Sequence, residues 1–143
     1  VLKYVDKTDE STAEIGAANT VINTDRNLCA YNTDAYAAKT FLRDYDNQKK
    51  LYILGNGGYS KAVMWAAKHI TRENWSSLQN IKSSIIYNCT PADISNPMLR
   101  IDTSNDMINC LVTTKTGKEL AGLQASIQFK LYTGLEFPLN TQK

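Results

Sequence analysis

Residues 51–60 read LYILGNGGYS, and this stretch decides the fold. The four apolar residues 51–54 form a run typical of a short buried strand, and the three glycines Gly55, Gly57 and Gly58 follow it closely. An alanine-rich segment that extends to about residue 68 then has the composition of a helix. A strand that passes through a glycine turn directly into a helix is typical of an α/β unit. The sequence therefore predicts an α/β fold.

The glycine turn has the spacing of a dinucleotide-binding motif. Gly55 permits a tight turn, Gly57 lets the backbone approach a pyrophosphate, and Ser60 is small where the helix must pack on the strand. The first turn of the helix offers free N–H groups and a partial positive charge to phosphate oxygens. A plain structural glycine turn is the alternative. The residues predicted to contact a cofactor here are Gly55, Asn56, Gly57, Gly58, Tyr59 and Ser60.

The choice of nicotinamide cofactor depends on the end of the next strand, predicted at residues 69–71. A site for NAD usually has an acidic residue there, about 20 residues after the turn, whereas this chain has Thr71 and Arg72. A guanidinium suits the 2′-phosphate of NADP through charge-assisted hydrogen bonds. Glu73 follows directly and would repel that phosphate. NADP is therefore favoured, with NAD, or a solvated Arg–Glu pair, as the alternatives.

Apolar spacing and turn residues predict the other elements. The polar segment 44–50 is the best candidate for a domain boundary. Little room is left for a helix and a loop before the strand at 69–71, so we predict a break in the Cα spacing near residues 67–70. The elements predicted are a helix over 1–15 ended by Gly16, a hairpin of strands 17–23 and 28–31, a helix over 35–44, strands at 84–87 and 107–112, and a helix over 119–132.

The composition disfavours several classes of protein. A length of 143 residues with 43% hydrophobic residues fits one domain or parts of two. No apolar run reaches the roughly 18 residues that a membrane span needs. Sixteen basic and fourteen acidic residues are mixed along the chain, so the charge pattern does not indicate nucleic-acid binding. The three cysteines are scattered, which argues against a disulfide framework or a metal cluster and favours a cytoplasmic protein.

Six short motifs, taken in order, resemble those of the shikimate dehydrogenase family and together cover nearly the whole sequence. Three departures stand out. Ala35 replaces a glycine, the glycine that normally follows the N-x-T-P motif is absent after Pro91, and the segment 71–73, TRE, resembles the family's N-R-T motif only at Arg72. The motifs are GAANT at 16–20, YNTDA at 31–35, GNGGYSKA at 55–62, NCTP at 88–91, GKELAGLQA at 117–125 and FKLYTG at 129–134.

This resemblance implies a fold with two lobes: a Rossmann-like NADP-binding lobe and the last elements of an α/β substrate lobe. The lobes would divide the chain into residues 1–44 of the substrate lobe, residues 45–118 of the NADP lobe, and residues 119–143 as a closing helix that returns to the substrate lobe. The implied activity is reversible hydride transfer between NADPH and 3-dehydroshikimate, giving shikimate for aromatic amino acid synthesis. The implied partner is therefore a small molecule, without a metal, nucleic acid or membrane.

The resemblance also assigns roles to individual residues. Asp34 corresponds to the aspartate of the family's lysine–aspartate acid/base pair, and Asn19 and Gln124 correspond to residues that bind substrate hydroxyls. Thr90 and Gly117 correspond to residues on the cofactor side. The family's lysine lies in an N-x-T-x-P-x-K motif ahead of the helix that opens this sequence. Because that motif is absent and the first residue is not Met, we expect a piece of a longer protein.

Each of these residues also has a plainer interpretation. Asp34 is suited to capping a helix, and a helix N-terminus would favour its ionised form. Asn19 could be a turn residue, and Gln124 could be a surface glutamine. The alternative functions are a quinate/shikimate dehydrogenase that uses NAD and a non-catalytic nucleotide-binding relative.

Overall fold

The computed structural model describes residues 1–45, 47–67, 70–72 and 75–137. Two sheets organise this part of the chain, and helices pack against them, so the predicted α/β class is confirmed. The elements are β1 (Lys7–Thr8), α1 (Glu10–Ile15), β2 (Thr20–Thr24), β3 (Asn27–Tyr31), α2 (Thr33–Leu42), β4 (Leu51–Leu54), α3 (Gly58–Ala66), β5 (Ile70–Arg72), β6 (Ile85–Asn88), β7 (Asp106–Asn109) and α4 (Lys115–Thr133), with short 3-10 helices at Leu2–Tyr4, Trp75–Asn80 and Pro97–Leu99.

The first sheet has the strand order β1-β3-β2, and its edge strand β1 corrects one prediction. The helix predicted over 1–15 is wrong in its first half, because Lys7 and Thr8 pair in parallel with β3. Asp9 then caps α1 by accepting a hydrogen bond from the Thr12 N–H at 3.0 Å, so the helix begins at Glu10. Its end is as predicted, with Gly16 in the left-handed conformation at φ 72°.

The predicted hairpin is confirmed in β2 and β3. Thr24 pairs with Asn27 at its tip, and the two residues between them, Asp25 and Arg26, both have positive φ angles of 51° and 68°. Two left-handed residues in a two-residue loop match the right-handed twist of the flanking strands. The hairpin brings the residues after α1 and before α2 to the same end of its two strands, because Asn19 donates its backbone N–H to the Tyr31 carbonyl at 3.1 Å.

The second sheet is fully parallel, with the strand order β5-β4-β6-β7. The chain passes from β4 to β5 on one side and then crosses over to β6 on the other side of β4. The strand order therefore reverses between β4 and β6, which is where open α/β sheets bind ligands, at the carboxyl ends of the strands. This topology is Rossmann-like, as predicted.

Both faces of the parallel sheet are buried. Ile53 and Tyr87 face the helices on one side, whereas Leu54 and Ile86 face the loops on the other side. The alternation follows from the two-residue period of a strand, and continuous apolar strands are typical of parallel sheets that are covered on both faces. The helical side is completed by Ala38, Phe41, Val63 and Leu120, and the loop side by Leu78, Ile81 and Ile94.

The long helix α4 closes the fold. It begins at Lys115, four residues before the predicted start at 119, because the Thr114 hydroxyl caps it by accepting a hydrogen bond from the Gly117 N–H at 3.1 Å. It starts beside β7, packs along α2 and reaches β2. Among the helices that the structure describes, none is long and apolar enough to cross a membrane.

Some predictions fall on residues for which no structure is described. The predicted break near residues 67–70 depends on Lys68 and His69, which lie outside the described residues. Glu73 lies outside them as well. The division into segments 1–44, 45–118 and 119–143 remains a prediction.

Candidate active site

A cleft of about 300 Å³ lies at the carboxyl end of the parallel sheet. Five residues that the sequence assigned to a site, from four separate segments, meet in it: Asp34, Tyr59, Thr90, Gly117 and Gln124. The rest of the lining is mainly apolar or sulfur-containing and consists of Ala37, Cys89, Pro91, Cys110, Leu111, Leu120 and Ala121.

The glycine turn between β4 and α3 leads into Tyr59, which lines the cleft, whereas Gly55, Gly57 and Ser60 are not among the lining residues. Gly55 has a φ of 117°, and a Cβ atom there would lie 3.2 Å from the Cys89 carbonyl oxygen, so the turn requires glycine. Gly57 has open space where a side chain would stand, which leaves its backbone accessible to a ligand. Ser60 is fully buried and donates its hydroxyl to the Gly57 carbonyl at 2.8 Å. The tight turn at Gly55 and the buried position of Ser60 agree with the predicted geometry, whereas the approach of Gly57 to a pyrophosphate stays a prediction.

Thr71 and Arg72 lie one strand away from the turn. In the parallel register, Thr71 pairs with Tyr52 and Arg72 pairs with Ile53, so both residues stand near the carboxyl end of β5. This backbone position agrees with the one from which a Rossmann-like lobe recognises the adenosine ribose. The role of these two residues toward a 2′-phosphate stays a prediction.

Asp34 lies in the first turn of α2 but does not cap it. The cap is Asn32, whose Oδ1 accepts a hydrogen bond from the Ala35 N–H at 3.1 Å. The capping interpretation of Asp34 is therefore wrong, and the helix begins at Thr33 rather than at residue 35. Its carboxyl instead takes part in lining the cleft.

The electrostatics of Asp34 also differ from the prediction. Burial raises the pKa of its carboxyl above the ordinary value, and a hydrogen bond from Asn19 only partly offsets this effect. The helix N-terminus was expected to favour the anion, but loss of solvent outweighs it. A cation beside Asp34 would lower its pKa again, so this carboxyl is suited to pairing with a positively charged group.

Asn19 is held rigidly by three hydrogen bonds to its Oδ1. The Thr33 N–H donates at 3.0 Å, the Thr33 hydroxyl at 3.1 Å and the Thr20 hydroxyl at 3.0 Å. With its oxygen fixed in this way, the amide of Asn19 lies beside Asp34 and counteracts part of the rise in the pKa of that carboxyl. The side chain therefore has a precise orientation, which a simple turn residue does not need.

Two glutamines of α4 complete this network. Gln124 donates its Nε2 to the Thr33 hydroxyl at 3.0 Å, and Gln128 donates its Nε2 to the Thr20 hydroxyl at 2.9 Å. Each threonine hydroxyl thus accepts from a glutamine and donates to Asn19. The interpretation of Gln124 as a surface residue is wrong, because its amide is engaged inside the fold.

Sequence reasoning missed three members of this network: Thr20, Thr33 and Gln128. Thr33 could have been found, because it is the middle residue of the N-T-D motif at 32–34. Gln128 lies four positions after Gln124 and therefore on the same helix face, which is a weak signal by itself.

Gly117 stands where α4 meets the loop after β7. A Cβ atom there would lie 1.9 Å from the Leu111 carbonyl oxygen, so no other residue fits without a backbone shift. Its own N–H is taken by Thr114. The structure thus gives a packing reason for this glycine, and its predicted contact with a cofactor stays a prediction.

The cleft is also lined by Tyr59 and by two cysteines, and Tyr87 lies buried behind Tyr59. The hydroxyls of Tyr59 and Tyr87 lie 2.8 Å apart, and burial raises the pKa of both. Burial also raises the pKa of the Cys89 and Cys110 thiols, which keeps them in the weakly nucleophilic neutral form. Within the described ranges, no group of three or more His, Cys, Asp or Glu residues could hold a metal ion.

No family model matches the chain, but individual proteins do. The chain is 34% identical over 70 residues to a shikimate dehydrogenase (NADP(+)) of Bacillus cereus (strain B4264); the match covers 46% of this chain and 25% of that relative. The chain therefore spans about a quarter of the length of this curated relative.

Solved structures extend the comparison to nearly the whole chain. The shikimate 5-dehydrogenase of Thermus thermophilus, in complex with NADP(H) and shikimate, superimposes with a TM-score of 0.77 at 18% identity, over 94% of this chain and 69% of that one. The shikimate 5-dehydrogenase of Listeria monocytogenes, in complex with shikimate and NAD, also gives 0.77 at 18% identity, over 96% and 70% of the two chains. The fold is the same in all three.

Proposed function

We propose that this chain, which is related to the shikimate dehydrogenases, is the part of such an enzyme that binds NADP and carries its catalytic aspartate. The reaction would be reversible hydride transfer between NADPH and 3-dehydroshikimate, giving shikimate. One observation carries the proposal. Residues from four separate motifs of the family, with Asp34 and Gln124 on the substrate side and Tyr59, Thr90 and Gly117 on the cofactor side, line a single cleft.

The glycine turn is suited to hold the cofactor. The open space at Gly57 and the N-terminus of α3 together provide unobstructed backbone and a partial positive charge for a pyrophosphate. Arg72, at the end of β5, would receive the 2′-phosphate of NADP. NADPH, when bound, supplies the hydride.

On the other side of the cleft, the polar network would orient the substrate. Gln124 uses its Nε2 to hold Thr33, so its Oε1 is the atom that can accept a hydrogen bond from a substrate hydroxyl. Asp34 presents a carboxyl from a neighbouring position, and Asn19, which is not among the lining residues, lies beside it. Amides and a carboxyl at fixed positions suit a small molecule that carries several hydroxyls.

Asp34 would act together with a cation during hydride transfer. Transfer to a ketone builds negative charge on its oxygen, which a positioned proton donor stabilises. In the family this donor is a lysine, paired with the aspartate that Asp34 matches. A carboxyl whose pKa is raised by burial gains from such a pair, because the lysine lowers the pKa of Asp34 while Asp34 keeps the lysine charged.

NAD is a second candidate for the cofactor, since the structure from L. monocytogenes was solved with shikimate and NAD. We expect Arg72→Ala to weaken NADP⁺ binding at least about tenfold, because a charge-assisted hydrogen bond to the 2′-phosphate is lost, and to leave NAD⁺ binding unchanged. Calorimetric titration of both dinucleotides into the chain measures this. Arg43→Ala, at an exposed residue after α2, is the control. Equal affinity of wild type and Arg72→Ala for NADP⁺ would contradict the assignment.

Turnover is the test of the reaction itself. We expect the intact protein that carries this chain to oxidise shikimate with formation of NADPH, observed by its absorbance. The mass of that purified protein should be measured first, because it shows how much polypeptide accompanies this chain. Binding of NADP⁺ without turnover in the intact protein would instead favour the non-catalytic nucleotide-binding relative.

A further inference from the structure

Two tyrosines form a hydroxyl pair that the reaction proposed above does not use. Tyr59 lies in the first turn of α3, directly after the glycines, and lines the cleft. Tyr87 lies on β6 beneath it and is fully buried among apolar side chains. Their hydroxyl oxygens are 2.8 Å apart, and their ring centroids are 6.2 Å apart. Two phenylalanines would fill the same space without the desolvation cost of two hydroxyls, so the hydroxyl pair calls for a functional reason.

Burial determines which hydroxyl is the donor. Tyr87 has 0% exposure, and in the part of the chain that the structure describes its hydroxyl is hydrogen-bonded to Tyr59 alone. If Tyr59 were the donor, the Tyr87 hydrogen would stay buried without an acceptor, which is the more costly arrangement. Tyr87 is therefore the donor and the Tyr59 oxygen is the acceptor. The Tyr59 hydroxyl can then donate its own hydrogen to a ligand in the cleft that it lines.

The position of Tyr59 indicates which part of a ligand it would meet. It shares the cleft with Asp34, beside which hydride transfer would occur, whereas the pyrophosphate would lie on the backbone of the glycine turn. The nicotinamide must reach Asp34's end of the cleft for that transfer. Its carboxamide oxygen and the hydroxyls of its ribose are hydrogen-bond acceptors. Burial raises the pKa of Tyr59, which keeps it a neutral donor over the working range of pH.

We propose that Tyr59 donates a hydrogen bond to the nicotinamide riboside half of the bound dinucleotide, and that Tyr87 is a positioning residue that orients the Tyr59 hydroxyl. The inference rests on the proposed function, since it requires the cleft to hold a nicotinamide cofactor. It adds the Tyr59 hydroxyl to the groups that would bind the cofactor, and it assigns the orientation of that hydroxyl to the buried hydroxyl of Tyr87.

The experiment compares two ligands and three variants by calorimetric titration into the chain. NADP⁺ contains the nicotinamide half, and 2′,5′-ADP lacks it. We expect Tyr59→Phe to weaken NADP⁺ binding about fivefold to tenfold, the loss of one neutral hydrogen bond, and to leave 2′,5′-ADP binding unchanged. Tyr87→Phe should weaken NADP⁺ binding about twofold to threefold, because Tyr59 keeps its hydroxyl but loses its orientation. Tyr52→Phe, on β4 and packed against the other face of the sheet, is the matched control.

The double variant distinguishes positioning from packing. If Tyr87 acts through Tyr59, Tyr87→Phe has no further effect on NADP⁺ affinity once Tyr59 is phenylalanine. Additive losses would overturn the positioning role, and so would an equal loss for 2′,5′-ADP. Unchanged NADP⁺ affinity in Tyr59→Phe would overturn the inference while leaving the proposed function intact. If the wild-type chain binds neither ligand, the proposed cofactor site is wrong and the inference falls with it.

Discussion

Asp34 combines a position at a helix N-terminus with a buried carboxyl, and the two features act on it in opposite directions. Loss of solvent raises its pKa above the ordinary value, and the hydrogen bond from Asn19 offsets only part of that rise. An ionised Asp34 therefore lowers the stability of the folded chain relative to a neutral group at the same position. The surroundings of Asp34 thus oppose its ionised form, and a carboxyl whose pKa is shifted in this way is typical of a functional group.

We expect Asp34→Asn to abolish most activity of the intact protein and to stabilise the fold. The rate of shikimate oxidation should fall about 10²–10⁴-fold, the usual contribution of acid–base catalysis. Because the folded-state pKa is raised, its destabilising effect is present at neutral pH and disappears as the pH falls below the ordinary carboxyl value. The variant should therefore have a higher Tm than wild type at neutral pH and the same Tm in acid.

Thermal unfolding over this pH range measures the effect on stability, with Asp44→Asn at an exposed position as the control. A neutral-pH Tm below that of wild type would show that Asp34 is needed for the fold, in contradiction to the raised pKa.

Sequence motifs located the residues that we propose to act on the substrate, but not all of the residues that orient them. Asp34, Asn19 and Gln124 were recognised because they lie in short motifs with fixed spacing. Gln128 was not, because its importance comes from a hydrogen bond to Thr20, 108 residues earlier in the chain. Local patterns carry no information about such a contact.

At the scale of elements, α4 depends on a single residue at its start. Gly117 lies so close to the Leu111 carbonyl that a Cβ atom would be only 1.9 Å from its oxygen. The clash is with backbone, and the same turn is fixed by the Thr114 cap. Neither partner can move without breaking the cap that begins the helix, so α4 can approach β7 this closely only with glycine at that position.

We therefore expect Gly117→Ala to lower the free energy of unfolding by about 3 kcal/mol or more, the upper range for overpacked sites. Gly122→Ala is the matched control, because it lies on the same helix with nothing within 4 Å of its Cβ position. That control should raise the stability by roughly 0.5–1 kcal/mol through its higher helix propensity. Urea unfolding of both variants gives the two values, and a Gly117→Ala chain as stable as wild type would contradict the packing argument.

The elements themselves were predicted well where local chemistry decides them. The bounds of β4 were predicted correctly, because four apolar residues are enclosed between a polar segment and a glycine. The helix expected over residues 1–15 failed because its apolar spacing was accidental, and the parallel pairing of Lys7 and Thr8 with β3 overrode it. Pairing between strands is a non-local interaction that helical spacing does not reveal.

At the scale of the whole molecule, α4 connects the two sheets. It is capped beside β7 of the parallel sheet, and its Gln128 reaches Thr20 at the start of β2 in the other sheet. The cleft lies between these two attachments, so its two sides are held at a fixed separation by one helix. The glycine turn predicted the Rossmann-like part of this arrangement, whereas the contacts that attach α4 to the hairpin became visible only in the structure.

We expect Gln128→Met to weaken this attachment without removing any group from the cleft. The Thr20 hydroxyl loses its donor, so the free energy of unfolding should fall by about 1 kcal/mol, and Asn19 should be less well oriented. The KM for shikimate should rise severalfold in the intact protein, with little change in kcat. Ser126→Ala, on the same helix and bonded only to Leu123 among the described residues, is the control. A lower kcat at unchanged KM would contradict the orienting role.

The span of these two glutamine contacts has a consequence for the order of folding. Gln124 and Gln128 meet threonines 91 and 108 residues earlier in the chain. Contacts of such long range are slow to form and cannot be made during synthesis until the last helix has left the ribosome. The hairpin and the glycine turn can form early, but the pocket that joins them stays incomplete until translation of this segment ends. Binding of a molecule in the cleft would therefore report that α4 has docked, and a nascent chain stopped before α4 would present the glycine turn without the cleft.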